Sequence, residues 1–382
     1  MWPKNRSSLS ITAILLCLAV ATQAWAEGAA KTVATGNTPG LKIEPITDPK
    51  VNSPREDLRL KLFKDSPKTF GCKAIPAPKN RTGVDSSLDQ FLAEVTDAIK
   101  NRSELKLQPH FHPRLNIGIP ALSETFAKLA NTYGPKQDVT VFRLWALNVP
   151  DPDLNASSTL SGDKTPSEIP CTADDLSVHA MYGYPLQFGV WLQILGEKEV
   201  GRIYLSIVPT QGRWNLGAFH AQQWTHAEKD PEQWLLNAQR IESLKLPEAA
   251  FVAYDIASKL LDGGNLVIMN QRAEVLKRRD AIMTPEQFQD KIRKTLSEYK
   301  VLASNSLFVV GGGGVLVRIE VPSEISVEQL KNTCAAISSK LKRESWSQEL
   351  NGVRCNVNLP KENPKVDGAI GGVYLAFRDL KN

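Results

Sequence analysis

A change in hydrophobic period near residue 139 constrains the fold of this chain more than any other feature. Before that point apolar residues recur at helical spacing, first after Ser86-Ser87 and again over residues 122–133. Beyond it they alternate with a period of two, most regularly from Leu186 to Ile194. Helices followed by strands that are joined by short turns predict an α+β fold, in which an antiparallel sheet packs against helices.

The first 26 residues have the composition of a signal peptide. Lys4 and Arg6 precede an apolar run from Ile11 to Ala21, and Ala24-Trp25-Ala26 is a small-x-small cleavage pattern. The apolar run is about half of the roughly 20 residues that span a bilayer, so we expect no transmembrane anchor. The sequence therefore predicts cleavage after residue 26 and a periplasmic or secreted protein.

The charge of the chain is mild and evenly distributed. The formal net charge of +5 falls to +3 when Lys4 and Arg6 leave with the signal peptide. Lysine and arginine are interleaved with acidic residues and form no basic stripe. We therefore expect no nucleic-acid partner.

Four cysteines remain after the predicted cleavage, at positions 72, 171, 334 and 355. An even number in an exported protein favours disulfides, and the absence of a C-x-x-C pair argues against a zinc ribbon or a redox site. Cys334 lies on the apolar stripe of a predicted helix and Cys355 on the core side of a predicted strand, so we prefer that pair. Cys72 and Cys171 then pair by elimination. The alternative is that Cys334 and Cys355 are buried thiols.

The remaining sequence predicts a tether and three structured regions. Residues 27–70 are rich in glycine, proline, threonine and lysine and predict a flexible tether. Residues 71–227 predict a cone-like α+β domain, and residues 228–283 a helical segment. Residues 284–382 contain a helix followed by two strands, and then the same order again. This order predicts a two-layer α/β domain with an antiparallel sheet and both helices on one face.

Polar residues ahead of apolar runs mark the starts of helices. Ser86 or Ser87 is the predicted cap of the first strong helix, and Asp230 precedes Pro231 in the same way. Thr284 and Ser326 each stand three residues before a glutamine, which is the capping-box spacing.

The last predicted hairpin carries a Gly-x-Trp-x-Leu pattern at Gly212, Trp214 and Leu216. With the preceding helices, residues 88–226 resemble the cystatin-like cone of the nuclear-transport-factor superfamily. The resemblance implies an apolar pocket between sheet and helices. It implies no particular chemistry, because that superfamily includes enzymes, binding modules and scaffolds.

Aromatic residues on the predicted strands are the candidate ligand pocket. Strict alternation places Trp214, Leu216, Ala218 and His220 on one side of the last strand. The alternative is that these side chains belong to an ordinary hydrophobic core or cover a face of the sheet. The predicted pocket comprises Trp191, Tyr204, Trp214, Phe219 and His220.

His110 and His112 are the candidate metal ligands. In an extended segment the two side chains point the same way, as two ligands of zinc or copper would. The alternative is a solvent-facing loop with two ordinary histidines. On balance the sequence predicts no metal and no cofactor.

No recognised catalytic pattern is present, so the leading prediction is an exported, non-catalytic protein that binds a small apolar ligand or a protein partner. The alternative is a small-molecule enzyme that uses His220 or an acidic neighbour such as Asp174. A third possibility is a metal-handling protein that uses His110 and His112.

Overall fold

The computed structural model describes residues 53–65, 68–76, 85–149, 168–181, 184–197, 199–360 and 369–380. The predicted signal peptide and residues 27–52 of the predicted tether lie outside these ranges. The described residues belong to one unit that spans residues 50–382. The domain boundaries within that unit stay a prediction.

The fold is α+β, and nine α-helices lie in the described ranges. None of these helices is both long enough and apolar enough to cross a bilayer. They are α1 (Ser53–Leu62), α2 (Ser86–Lys100), α3 (Glu104–Leu107), α4 (Ile119–Tyr133), α5 (Pro231–Ser243), α6 (Pro247–Leu260), α7 (Asn270–Ile282), α8 (Pro285–Thr295) and α9 (Val327–Lys342).

Thirteen strands form three sheets in the same ranges. Sheet A has the order β1-β2-β5-β6-β7, sheet B the order β3-β4-β9-β8 and sheet C the order β10-β11-β12-β13. The strands are β1 (Gly71–Ile75), β2 (Asp138–Asn148), β3 (Glu168–Cys171), β4 (Leu176–His179), β5 (Leu186–Leu195), β6 (Val200–Thr210), β7 (Arg213–Gln223), β8 (Asp262–Gly263), β9 (Val267–Met269), β10 (Lys300–Val309), β11 (Gly312–Glu320), β12 (Gly352–Asn358) and β13 (Ala369–Ala376).

Local capping sets three of the helix starts as the sequence predicts. Asp230, Thr284 and Ser326 each accept a hydrogen bond from the backbone of a glutamine three residues on, whose side chain bonds back to the cap. The start of α2 differs from the prediction. Its cap is Asp85, whose carboxylate accepts hydrogen bonds from the backbone N–H groups of Ser87 and Leu88.

Helix α1 lies inside the segment that composition assigns to the tether. Leu58, Leu62 and Phe63 fall on one side of this otherwise polar stretch and pack against the core between α2 and sheet A. Phe63 is buried. Order therefore begins before Phe70, because burial against distant residues stabilises a helix whose local composition is polar.

Sheet A is antiparallel throughout, as expected for the cone. Its closing hairpin turns at Gln211 and Gly212, which have φ of 52° and 76°. Positive φ at both central residues is the geometry that matches the twist of a tight hairpin. Helices α2 and α4 cover one face of this sheet. One hydrophobic core lies between them and the sheet, and it includes Leu88 on α2 and Leu216 on β7.

Sheet B crosses the predicted boundary at residue 227. Strand β9 pairs with β4, so the segment predicted as helical contributes a hairpin to a sheet that begins in the cone region. The second face of sheet A, sheet B, α5 to α9 and sheet C share one large core.

Sheet C is mixed, which corrects the prediction of an antiparallel sheet in residues 284–382. Strands β10 and β11 form an antiparallel hairpin and β12 and β13 pair in the same way, but β11 and β12 are parallel. The crossover through α9 returns the chain to the same end of the sheet before β12 starts, and this connection makes the central pair parallel.

Two disulfides link the pairs that the sequence favours. Cys334 on α9 is bonded to Cys355 on β12, and Cys72 on β1 is bonded to Cys171 at the end of β3. The second bond joins the edge of sheet A to sheet B. It thereby fixes the loop that follows Cys171 beside β1 and β2.

Candidate functional site

The helix-covered face of sheet A is filled by side chains. Trp214 on β7 packs edge-on against Phe188 at 5.4 Å between ring centroids and donates from Nε1 to the Ser87 hydroxyl at 3.0 Å. Phe219 packs against Phe111 with 6.1 Å between centroids. Trp214 belongs to the core on this face and the partly buried Phe219 packs against it.

A β-bulge separates Trp214 from His220. Ser206 on β6 pairs with Ala218, whereas the next residue, Ile207, pairs with Leu216, so Gly217 is an extra residue on β7. One extra residue reverses the alternation beyond it. Trp214 and Leu216 therefore face α2 and α4, while His220 faces the opposite core. The prediction that Trp214 and His220 share a face is wrong for this reason.

The other predicted pocket residues gather on the second face of sheet A. We call Trp191, Arg202, Tyr204, His220 and Trp224 the Trp191 cluster. The Trp191 ring lies 5.3 Å from the Tyr204 ring and 5.9 Å from the Trp224 ring, and Tyr204 stacks on His220 at 6.5 Å. The cluster is a row of aromatic rings on adjacent strands, in register across β5, β6 and β7.

Arg202 is the charged member of this cluster. Its guanidinium lies between the rings of Trp191 and Trp224, 3.4 Å from the centroid of Trp191, and the residue is 9% exposed. Burial lowers the pKa of Arg202 to about 9, although Tyr204 and Asp230 act to raise it. The group is therefore cationic at neutral pH. Arg202 is not among the residues predicted from the sequence, although it lies in phase with Tyr204 on a buried strand.

His220 is packed against Tyr204, and the acidic residue whose charge acts on it is Asp262. Its ring lies against Tyr204 and the backbone of Gly264. Burial lowers the pKa of His220, while the charge and backbone of Asp262 act to raise it. His220 lines neither of the two cavities described below. The geometry does not support His220 as a general acid or base.

An open cavity lies instead at the β1–β2 edge of sheet A, and we call it the edge groove. It has a volume of about 460 Å³. Phe142 is the extra residue of a bulge between Val141 and Arg143, and the bulge leaves its ring 38% exposed and 5.2 Å from Trp191. The groove is lined by Ala74, Ile75, Pro76, Phe142, Arg143, Leu144, Ala173 and Asp174.

One charged pair is built into the edge groove. Arg143 donates from Nε to the Asp174 carboxylate at 3.1 Å, and Trp145 donates from Nε1 to the other carboxylate oxygen at 2.7 Å. Asp174 follows Cys171, so the Cys72–Cys171 bond holds the carboxylate beside β2. Asp174, which the sequence offered as an acidic candidate beside His220, therefore lies at the edge groove. It is apart from the packed His220.

A second, smaller cavity of about 130 Å³ lies at the end of sheet C. It is lined by Val310, Gly311, Leu350, Asn351, Ala376 and Arg378. Its volume is below the range of about 300–1,000 Å³ that small-molecule sites occupy.

His110 and His112 do not point the same way. His110 is the last residue of a short 3-10 turn that begins at Gln108, and Pro113 begins another, so only Phe111 and His112 are extended. His110 packs edge-on against Phe91 and lies 3.8 Å from the Glu94 carboxylate.

The two ring nitrogens of His112 are occupied by protein partners. Nδ1 accepts a hydrogen bond from the backbone N–H of Arg114, so Nε2 carries the proton and donates to the Tyr184 hydroxyl at 2.8 Å. Across the described ranges no three histidine, cysteine, aspartate or glutamate side chains are grouped as metal ligands would be.

The densest charged cluster of the described chain surrounds Asp255. The carboxylate pairs with Lys259 and Arg279 and accepts a hydrogen bond from Ser306, while Lys259 also donates to the Ser306 hydroxyl at 2.7 Å. A serine beside a lysine is a known nucleophile–base arrangement. Here Ser306 is buried and Lys259 is paired with the Asp255 carboxylate, so the cluster links α6, α7 and β10.

No protein-family model matches the chain, and no curated protein matches it. Solved structures show a distant similarity that covers 37% of this chain in each case. Bd1075 of Bdellovibrio bacteriovorus is 10% identical with a TM-score of 0.21 and is covered over 40% of its own length.

A protein of unknown function with a cystatin-like fold from Nostoc punctiforme is 10% identical with a TM-score of 0.22, over 92% of its length. A scytalone dehydratase-like protein from Novosphingobium aromaticivorans is 9% identical with a TM-score of 0.19, over 83% of its length.

Proposed function

We propose that this chain is an exported, non-catalytic binding protein that takes a small apolar ligand, or an apolar side chain of a protein partner, in the edge groove. The observation that carries the proposal is the contrast between two parts of sheet A. The helix-covered face is filled by Trp214, Phe188 and their neighbours, whereas the β1–β2 edge opens into a cavity of about 460 Å³.

The composition of the groove fits a mainly apolar ligand with one polar group. Six of its eight lining residues are apolar, and the two polar ones form the Arg143–Asp174 pair. Ligand sites are typically apolar clefts of about 300–1,000 Å³ in which a few polar groups fix orientation. The exposed ring of Phe142 supplies a flat apolar surface, and its contact with Trp191 holds that ring in place.

Export is supported by the leader-like first 26 residues and by the two disulfides. Disulfides persist in oxidising compartments and are rare in the cytosol. Protein recovered from its native host should begin at Glu27, and its four remaining cysteines should resist alkylation until it is reduced. An intact N-terminus together with four reactive thiols in the native protein would contradict export.

Fluorescence of N-phenyl-1-naphthylamine, a neutral apolar probe, tests the groove. The wild-type protein should bind the probe saturably, and Phe142→Ala should weaken binding about tenfold or more, since a buried aromatic contact contributes roughly 1.5–3 kcal/mol. Leu236→Ala is the matched control, because Leu236 is an exposed apolar residue on α5 outside the groove. Equal affinity in wild type and Phe142→Ala, or an equal loss in Leu236→Ala, would contradict the proposal.

A further inference from the structure

Three buried hydrogen-bond donors on one face of sheet A have no acceptor. They are Trp191 Nε1, Arg202 Nη1 and the Tyr204 hydroxyl, and no acceptor for their hydrogens lies in bonding geometry among the described residues. The guanidinium of Arg202 and the hydroxyl oxygen of Tyr204 are close enough to shift each other's pKa. The three residues are 7%, 9% and 1% exposed, respectively. Buried polar groups in folded proteins are nearly always paired, so three unpaired donors together require an explanation.

These donors lie around a single indole ring. Trp191 on β5 is in register with Tyr204 on β6, and Arg202 stands two residues before Tyr204 on the same face. The Tyr204 ring is 5.3 Å from the Trp191 ring, and the guanidinium carbon of Arg202 is 3.4 Å from the Trp191 centroid. The three groups therefore belong to one local environment.

No carboxylate in the described part of the chain is hydrogen-bonded to Arg202. Asp230 acts to raise its pKa through charge alone, and the charge of Asp262 acts on the neighbouring Tyr204 and His220. The flanking rings stabilise a cation by much less than burying an ion costs. The buried guanidinium therefore has no bonded negative partner among these residues.

We propose that the Trp191 cluster binds a small carboxylate, held by the planar edge of the Arg202 guanidinium and by the indole N–H of Trp191 and the hydroxyl of Tyr204. Both faces of the guanidinium are covered by rings, so its hydrogens point outward in the plane, where a carboxylate accepts two of them.

A neutral hydrogen-bond acceptor would pair with a donor of the cluster but would not balance the charge of Arg202. The amide oxygen of Gln222, which is in register with Arg202, also lacks a donor, while its amide nitrogen is bound to the carbonyl of Leu260. A neutral amide oxygen or a water molecule would satisfy a hydrogen but would leave the buried charge unpaired. The remaining 9% exposure of Arg202 gives a small anion a route to the guanidinium edge.

Titration with sodium acetate and sodium benzoate, against sodium chloride at equal ionic strength and pH 7.5, tests the inference. Carboxylate should raise the melting temperature and quench tryptophan fluorescence beyond the effect of chloride. Arg202→Met should abolish both responses. Tyr204→Phe should weaken binding about tenfold, because a hydrogen bond to a charged group contributes roughly 1.5–3 kcal/mol.

Arg293→Met is the matched control, since Arg293 is an exposed residue of α8 outside both sites and should leave carboxylate binding unchanged. Should Arg202→Met fail to fold, Arg202→Lys keeps the charge but loses the planar fork, and it should bind at least tenfold more weakly. No difference between carboxylate and chloride in the wild type, or a wild-type response in the Arg202 variant that folds, would overturn the proposal. Loss of naphthylamine binding in the Phe142 variant alone would bear on the edge groove and not on this site.

Discussion

Trp145 and Asp174 are joined by a hydrogen bond of 2.7 Å from the indole Nε1 to the carboxylate. Trp145 is buried on β2, and Asp174 lies in the short turn after Cys171. The bond ties the loop that bounds the edge groove to the second face of sheet A. It also leaves the second carboxylate oxygen directed to Arg143.

Asp174→Ala should destabilise the protein by about 1–3 kcal/mol, because it leaves the buried indole N–H of Trp145 without an acceptor. Asp174→Asn keeps an acceptor oxygen and should cost less. Urea unfolding of both variants measures the difference, with Asp97→Ala as the control because Asp97 is an exposed helical carboxylate. A loss for Asp174→Ala no larger than that of the control would show that the bond has no structural role.

Removing the two disulfides should have unequal effects. The Cys72–Cys171 bond spans 99 residues and the Cys334–Cys355 bond spans 21. Loop-closure entropy predicts losses of about 4.7 and about 3 kcal/mol, so the paired alanine variant at 72 and 171 should be less stable by about 1 kcal/mol or more. Denaturant unfolding of the two paired variants checks the order, and the reverse order would argue against an entropic origin.

Gly201→Ala should destabilise the docking of α4 on sheet A. A Cβ atom at position 201 would overlap the ring of Tyr133, which is buried and donates its hydroxyl hydrogen to the Gln222 carbonyl at 3.0 Å. Overpacking of this kind costs about 1–3 kcal/mol. The control is Gly371→Ala, where a Cβ would make only ordinary contact with Leu330.

The Tyr133 contact can be isolated by a double-mutant cycle. In a Tyr133→Ala background the ring is absent, so Gly201→Ala should cost much less than in the wild type. An equal cost in both backgrounds would assign the effect to the strand backbone instead.

Stability should fall as the solution becomes acidic. His226 is buried between Trp234 and Phe308, and its Nε2 is 2.7 Å from the Gly312 carbonyl. Burial lowers the pKa of His226 below the ordinary value of 6.5, although the Gly312 carbonyl, Glu199 and the Val309 backbone act to raise it. The unfolded chain therefore binds the proton more readily, and the stabilisation present above pH 6.5 is lost as the pH falls toward the folded pKa.

The measurement is the free energy of unfolding at pH 7.5 and pH 5.0. Burial also lowers the pKa values of His110, His112 and His220, so the wild type should lose stability over this interval. His226→Gln removes one titrating group and should reduce the loss. The same pH dependence in both proteins would exclude His226 as a contributor.

Local sequence signals predict most elements of this fold because their causes are short-range. The capping residues Asp230, Thr284 and Ser326 act within three positions of themselves, and the alternation from Leu186 to Ile194 reflects one strand. Helix α1 escaped prediction because its burial depends on Phe63 reaching a core built by residues far along the chain.

None of the five predicted pocket residues lines the edge groove, and their role in ligand binding stays a prediction. Trp191, Tyr204 and His220 do share an environment, but Trp214 and Phe219 lie on the other face of the sheet. The bulge at Gly217 causes this error, since a register shift depends on how β6 and β7 pair and leaves no mark in the alternation of either strand alone. Phe142 was missed for the same reason, because a bulge on β2 exposes it.

The sequence by itself determined most of the helices and strands, the caps Asp230, Thr284 and Ser326 and the cysteines that meet, because periodicity and capping are properties of neighbouring residues. Only the tertiary structure decided that β11 and β12 run parallel, that Arg202 is enclosed by two indole rings and that the open cavity lies at the edge of sheet A. Each of these depends on strand pairing and on layers that meet across long stretches of chain. The free energy of such contacts belongs to the assembled fold and not to any local segment.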